Sequence, residues 1–277
     1  MHPLLATSWL DPIVHALAQI VNTINIPIHN LGVSLIVLAL MLRAVFWFLN
    51  AQQFKSMIRM QKIAPKIKAL QAKYKNDQQK VQQETMALYK SEGVNPLAGC
   101  LPLLIQYPFL ISVFYMVIQN KAQYENQDFL WIGSPLSQHV PLIFGVPLLA
   151  PSLAHADLIL LVLYGVSMYI SVRFGTMPAT DPQQAQTQKM MSILSPAMLF
   201  FVGFKYAWPS ALVLYWLCSN IFQMAQQIIM MRRYHEPLSF LDSTHVITDD
   251  VPADAVPAKP SGNGASNKRK NKKGAQF

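Results

Sequence analysis

Charged residues are scarce in this sequence. Asp, Glu, Lys and Arg together make up 13% of the 277 residues, whereas an ordinary soluble domain has about 25%. Hydrophobic residues make up 52%, and the mean hydropathy is +0.26. A soluble protein with this many long apolar runs would have almost no polar helix faces to present to water. The composition therefore argues against an ordinary soluble protein and favours an integral membrane protein.

Cysteine and catalytic motifs are equally scarce. Cys100 and Cys218 both lie in apolar runs and form neither a disulfide framework nor a CxxC spacing. We expect both to be small buried hydrophobic residues. The seven histidines are scattered, without an HExxH motif or a GxSxG elbow, and there is no Gly-rich phosphate loop. The sequence therefore predicts no enzyme, no metal site and no cofactor.

Five apolar segments are long enough to be membrane-spanning helices, which need about 20 residues. They predict an all-α polytopic membrane protein. The predicted units are an outer amphipathic helix (1–30), span one (31–50), a cytoplasmic helical hairpin (51–96), span two (97–118), an extracytoplasmic loop with an insertion (119–155), span three (156–174), a cytoplasmic loop (175–189), span four (190–206), span five (210–231) and a basic tail (232–277).

The distribution of positive charge predicts the orientation of these spans. Nine Lys and Arg residues lie between spans one and two, and eight lie in the tail. Only Lys121 and Lys205 lie in segments on the opposite side, and Arg43 is inside span one. Because cytoplasmic loops carry the excess of Lys and Arg, the N-terminus is predicted outside and the C-terminus in the cytoplasm.

Residues 1–30 lack a basic n-region and have the pattern of an amphipathic helix. Trp9 precedes the helix, with His15, Gln19 and Asn22 on its polar side. The apolar side consists of Leu10, Ile13, Val14, Leu17, Ile20, Val21 and Ile24. We expect this helix to lie on the outer membrane surface. An uncleaved, atypical signal segment is the alternative.

The segment 51–96 has the spacing of a helical hairpin. Its first seam is spaced three, four, three, four and consists of Met60, Ile63, Ile67, Leu70 and Tyr74. Asp77 follows a turn and is a predicted N-cap of the second helix. Pro65 is expected to end the helix that leaves the membrane and to begin the hairpin.

Polar residues inside the predicted spans are the candidate functional residues, because burying them in lipid is costly. Arg43 and Gln106 are isolated in spans one and two. Span five has a polar stripe with flanking polar residues: Tyr215, Trp216, Ser219, Asn220, Gln223, Gln226 and Gln227. Arg43 could extend to the headgroups, and the stripe could hydrogen-bond between helices. A hydrated cavity that receives an anion or an acidic side chain explains all of these residues together.

Four stretches resemble the YidC-type membrane protein insertase family in order and spacing: "LMLRAVFWFLNAQQFKSMIRMQKIAPKIKALQAKY", "QQETMALYKSEGVNPLAGCLPLLIQYPFLISVFY", "TDPQQAQTQKMM" and "WPSALVLYWLCSNIFQMAQQ". The resemblance covers roughly residues 30–132 and 156–235. The five-span core is similar to the shorter members of this family, which implies a location in the bacterial cell (inner) membrane. It implies an insertase and chaperone with a hydrophilic groove that is closed on the outer side. The implied arginine of the groove is Arg43, with Gln106, Tyr215 and Trp216 at further family positions. With the polar stripe, the candidate substrate groove comprises Arg43, Gln106, Tyr215, Trp216, Ser219, Asn220 and Gln223.

The resemblance also implies partners: nascent membrane-protein substrates, the Sec translocon, a targeting factor, the ribosome and membrane lipids. The candidate contact residues are basic residues of the hairpin and the tail: Lys66, Lys68, Lys73, Lys268, Arg269 and Lys270. The tail could bind ribosomal RNA phosphates or lipid headgroups. A small-solute channel or transporter using the same polar cavity is the alternative function, and a purely structural scaffold is a third.

Two features depart from the family pattern. Ala39, one turn before Arg43, stands where some members have a threonine in the groove. Residues 134–155 look like an insertion, whose apolar run is interrupted by Pro141, Pro147 and Pro151. We expect this insertion to be an interfacial segment on the outer side.

Overall fold

The protein is mostly helical in the computed structural model, which describes residues 9–75, 77–95, 101–175 and 182–234. This agrees with the expected all-α class. The helices are α1 (Asp11–Ile28), α2 (Leu31–Val45), α3 (Trp47–Lys73), α4 (Gln78–Ser91), α5 (Leu101–Gln119), α6 (Leu158–Gly175), α7 (Pro182–Lys205) and α8 (Ser210–Tyr234). A short antiparallel pair, β1 (Leu142–Ile143) and β2 (Val146–Pro147), lies between α5 and α6.

The helix bounds differ from the predicted spans mainly at two places. Helices α2 and α8 begin at the expected residues, Leu31 and Ser210, but α2 ends at Val45 and α7 begins well before residue 190. Within the described ranges, only α2 and α3 taken together have the length and apolarity of a membrane span, and they are bent by 57°. Leu104–Gln119 and Leu158–Arg173 are shorter apolar helices.

The bend between α2 and α3 lies at Phe46, where the backbone has a ψ of 4° instead of a helical value. Neither proline nor glycine is present there. The Phe46 ring contacts the Phe109 ring of α5 edge to face, with the ring centres 5.1 Å apart. This aromatic pair holds the bend against α5.

The expected helix break at Pro65 was wrong. Helix α3 continues through Pro65 to Lys73. A proline removes one backbone hydrogen bond and costs about 3 kcal/mol in a helix interior. Phe54, Ile58 and Ile63 are buried on the same helix, and their packing offsets this cost.

Helices α3 and α4 lie next to each other and are joined by a short turn. The Asp77 side chain accepts a hydrogen bond from the Lys80 backbone N–H at 3.0 Å, which confirms Asp77 as the N-cap of α4. Lys66 of α3 forms a 2.6 Å ion pair with Glu92, which directly follows α4. The cytoplasmic location of this hairpin stays a prediction.

The main hydrophobic core lies toward one end of the bundle, which we call the closed end. It comprises the starts of α2, α6 and α8, the end of α5, and buried residues of the segment between α5 and α6. Helix α1 buries Val14, Leu17 and Val21 in this core, next to α2 and α5. Trp9, just before α1, is 62% exposed. The apolar side of α1 is therefore largely covered by the protein itself.

Part of the predicted insertion also belongs to the closed end. Ala150, Leu153 and Ala154 are fully buried. The first backbone N–H groups of α8 donate to this segment, Ser210 to the His155 carbonyl at 2.8 Å and Ala211 to the Leu153 carbonyl at 2.9 Å. Ala150 and residues 152–154 are thus buried in the core, whereas Pro151 and His155 are exposed. The interfacial location of the insertion stays a prediction.

Candidate functional site

Arg43 lies in the last turn of α2 and extends toward α8. Its Nη2 donates a 2.7 Å hydrogen bond to Oε1 of Gln223. The partner of Arg43 is therefore a neutral amide from span five. In the part of the chain that the structure describes, no carboxylate forms an ion pair with Arg43. The positive charge has a hydrogen-bond partner and no counter-charge.

A cavity of about 90 Å³ lies on one side of Arg43, between α2, α5 and α8. Five of the predicted groove residues line it: Arg43, Gln106, Tyr215, Trp216 and Ser219. Its remaining walls are apolar and consist of Ala39, Leu42, Phe46, Phe109 and Leu110. Polar groups thus converge from three helices into a small space with apolar walls.

A second cavity of about 370 Å³ lies on the other side of Arg43. Asn220 and Gln223 line it, so all seven predicted groove residues border one of the two cavities, and Arg43 borders both. A cavity of this size, lined by several amide side chains, has room for several water molecules. Gln223 is exposed, so the cavity opens to the surface of the bundle.

Amide side chains connect the helices around the two cavities. Gln106 of α5 donates to Asn50 of α3 at 2.7 Å, and Asn50 donates to Gln226 of α8 at 3.4 Å. Gln226 in turn donates to the Trp47 backbone carbonyl at 3.3 Å. Gln106 is therefore part of a hydrogen-bonded chain that holds α3, α5 and α8 together.

Asn50 and Gln53 are residues of the site that the sequence reasoning missed. Both line the larger cavity. Asn50 was counted as the last residue of span one and Gln53 as part of the hairpin. The amide side chains of "NAQQ", residues 50–53, were the signal that could have identified them. The position of Asn50 beside Gln106 and Gln226 follows from the bend at Phe46.

Tyr215, Trp216 and Asn220 have contacts that position α8. The Tyr215 hydroxyl is hydrogen-bonded to Ser219 one turn later. The Trp216 ring lies 4.9 Å from the Trp208 ring and 5.9 Å from the Tyr164 ring. Asn220 donates to the Ser167 hydroxyl of α6 at 3.0 Å.

The closed end of the bundle contains a buried carboxylate. Asp157 is 2% exposed and accepts from the Ala150 N–H at 2.8 Å, the Leu160 N–H at 2.7 Å and Trp131 Nε1 at 3.2 Å. Tyr124 in the same core is also buried, which raises the pKa of its hydroxyl to about 12. Asp157 is fully engaged at this end and does not serve as the counter-charge of Arg43.

The predicted partner-contact residues are only partly described. Lys66 is paired with Glu92, and Lys73 lies 5.3 Å from the centre of the Tyr74 ring. Lys68 is half-buried on the same helix. Lys268, Arg269 and Lys270 lie outside the described residues. No group of His, Cys, Asp or Glu side chains in the described ranges is arranged to hold a metal ion.

Comparisons with known proteins point to a single family. Residues 23–237 match the family model described as "60Kd inner membrane protein". "Membrane protein insertase YidC" of Alcanivorax borkumensis is 38% identical over 205 residues, which are 74% of this chain and 31% of that protein. The protein of the same name from Methylobacillus flagellatus is 34% identical over 219 residues, 79% of this chain and 36% of that protein.

A solved structure shares the fold. It is described as "Active YidC insertase crystal structure with the first transmembrane domain resolved". The match has a TM-score of 0.54 and 24% identity, and it covers 79% of this chain and 46% of that chain. The present chain spans about a third of the length of the curated relatives named above.

Proposed function

Since the chain belongs to the 60Kd inner membrane protein family, whose matched relatives are named membrane protein insertase YidC, we propose that it inserts integral membrane proteins and helps them to fold. The observation that carries the proposal is Arg43, which borders two cavities and contacts a neutral amide instead of a carboxylate. The acidic group that interacts with this cation is then supplied by the substrate.

The mechanism follows from the shape and polarity of the site. An acidic or polar segment of the substrate enters the larger cavity, where Arg43 and the amides replace part of its hydration. A charge in an environment of intermediate dielectric attracts a carboxylate more strongly than it would in water. The packed closed end stops the segment from passing freely through the protein.

The outer surface of the helices supports release of an apolar substrate segment into lipid. Large apolar side chains are exposed along α2, α5, α6 and α7, including Leu40, Leu104, Val166 and Phe201. Soluble proteins rarely expose such extensive apolar surface. We propose that these faces contact lipid, and that an apolar substrate helix leaves the groove alongside them.

The orientation and the partners belong to the same proposal. Nineteen of the 22 Lys and Arg residues lie in the hairpin, at the junction of predicted spans three and four, and in the tail. We place these segments in the cytoplasm, with five spans and the closed end outside. In this orientation the basic segments can contact ribosomes or a targeting factor, and the Sec translocon can receive or deliver substrates beside the spans.

The test of the groove uses cells depleted of their own insertase and a small membrane protein whose insertion is independent of the Sec translocon. Arg43→Ala and Arg43→Glu should abolish protease protection of the translocated segment. Arg43→Lys should retain part of the activity, because the charge remains but the guanidinium geometry is lost. The matched control is Arg59→Ala, which removes an exposed cation from α3.

Normal insertion by both Arg43→Ala and Arg43→Glu, at unchanged protein levels, would contradict the groove mechanism. The same variants address the alternative function. Solute flux into proteoliposomes that disappears with Arg43→Ala would favour a channel or transporter. Effects restricted to protein abundance would favour a structural scaffold.

A further inference from the structure

The hairpin formed by β1 and β2 has an apolar tip that no part of the described protein covers. Phe144 is 92% exposed and Leu142 is 67% exposed. Across the strands, Leu142 pairs with Pro147, which is half-buried, and Ile143 pairs with Val146, which is buried. One face of the hairpin therefore packs on the protein, while the tip and the other face are apolar and free.

The backbone at the tip is strained at Phe144. The two turn residues, Phe144 and Gly145, have φ values of +49° and +85°. Positive φ at both positions is the mark of a type I′ turn, for which Asn–Gly is the favoured pair. A bulky residue at positive φ is an outlier, and such outliers cluster at functional positions. Leu130, another exposed apolar residue, also has a positive φ of 55°.

The base of the hairpin is attached to the start of α6. The Leu148 N–H donates to the Pro141 carbonyl, and the Ile159 N–H of α6 donates to the Leu148 carbonyl, both at 3.4 Å. From there α6 exposes Val162, Leu163 and Val166. The apolar tip therefore projects close to the point where the exposed apolar surface of α6 begins.

The sequence around the tip favours lipid as the occupant. Between Asp128 and Asp157 there is no Asp, Glu, Lys or Arg residue. A surface that contacts a soluble protein partner usually has a polar rim around its apolar centre. An uncharged apolar surface next to lipid-facing helices instead suits the boundary between headgroups and acyl chains.

We propose that the hairpin of residues 142–147 inserts Phe144 and Leu142 into the outer leaflet of the lipid bilayer. Burial of these side chains in lipid offsets the backbone strain at Phe144. The insertion fixes the depth of the closed end at the membrane surface. The proposal depends on the membrane orientation proposed above and is independent of any role of Arg43.

The experiment measures the surroundings of a nitroxide label at residue 144. Phe144→Cys is prepared in a Cys100→Ala, Cys218→Ala background, labelled, and reconstituted into vesicles of phosphatidylethanolamine and phosphatidylglycerol. Power-saturation electron paramagnetic resonance then compares collisions of the label with oxygen, which concentrates in lipid, and with a water-soluble nickel chelate. Phe201→Cys on α7 is the lipid control, and Asn126→Cys, an exposed polar position before the hairpin, is the water control.

The ratio of oxygen to nickel accessibility at residue 144 should approach that at Phe201 and exceed that at Asn126. A second label at Leu142→Cys should become more accessible to nickel when Phe144→Asn is added, because asparagine suits the turn but removes the apolar ring. A ratio at residue 144 equal to that at Asn126 overturns the proposal. Low accessibility to both reagents, with an immobilised spectrum, also overturns it, because a protein surface would then cover the tip. Either outcome leaves the insertion assay on Arg43 unaffected.

Discussion

Arg43 hydrogen-bonds to a neutral amide, Gln223, and this choice of partner determines how available its charge is. A carboxylate about 4 Å from a guanidinium interacts with it by about 4 kcal/mol at an effective dielectric constant of about 20. A resident carboxylate would therefore compete strongly with any acidic group arriving on a substrate. The glutamine orients the guanidinium without neutralising it.

Replacing Gln223 by Glu tests this point while Arg43 stays in place. Gln223→Glu should reduce insertion of a substrate with an acidic translocated segment by tenfold or more, about 1.4 kcal/mol or above, because the new carboxylate pairs with Arg43. The control is Gln227→Glu, which lines the same cavity without a described contact to Arg43. The measurement is the protease-protected fraction of the substrate. Equal insertion by Gln223→Glu and the unmodified protein would show that the free charge of Arg43 is not needed.

Among the elements, the start of α6 shows how the closed end is stabilised. Asp157 accepts hydrogen bonds from the first turn of its own helix, from the Ala150 backbone and from the Trp131 indole. It therefore joins the helix to two neighbouring segments in a buried site. Removing it would leave several buried donors without an acceptor, each costing about 1–3 kcal/mol.

Asp157→Ala should lower the thermal unfolding midpoint in detergent clearly more than Asp77→Ala. Asp77 caps α4 at an exposed position, where loss of a cap costs about 1 kcal/mol. Asp157→Asn should have an intermediate effect, since its amide oxygen retains part of the acceptor capacity. Equal shifts for Asp157→Ala and Asp77→Ala would contradict the importance of the buried network.

At the scale of the whole molecule, Lys and Arg residues are concentrated in the hairpin and the tail, and these are the segments proposed to contact ribosomes. The hairpin has nine Lys and Arg residues, and the tail contains the cluster "KRKNKK" at 268–273. Binding to nucleic-acid phosphates releases counterions and therefore weakens as salt increases. The tail is accordingly expected to contribute most at low ionic strength.

Removal of residues 259–277 should weaken co-sedimentation with ribosomes at low salt and have little effect at high salt. The double variant Lys66→Ala, Glu92→Ala is the control, because it removes an ion pair of the hairpin without altering the net charge of the hairpin. Co-sedimentation is measured over a salt series with the protein in detergent. Identical binding of the truncated and complete chains at every salt concentration would exclude this role for the tail.

The sequence by itself determined the features that depend on composition and local spacing. The mostly helical fold, the starts of α2 and α8 and the N-cap at Asp77 follow from apolar runs and capping residues, whose effects extend over only one or two helical turns. All seven candidate groove residues were also selected from the sequence, because polar residues stand out in apolar runs, and all border the two cavities. Their role in insertion stays a prediction.

The tertiary structure decided the features that depend on packing between distant segments. Helix α3 continues through Pro65 because buried side chains hold it, and the bend instead lies at Phe46, where a ring of α5 packs. That bend brings Asn50 to Gln106 and Gln226, and the crossing of α2 and α8 brings Gln223 to Arg43. Such pairs are separated by 56 to 180 residues along the chain, so no local pattern could identify the neutral partner that leaves the charge of Arg43 available.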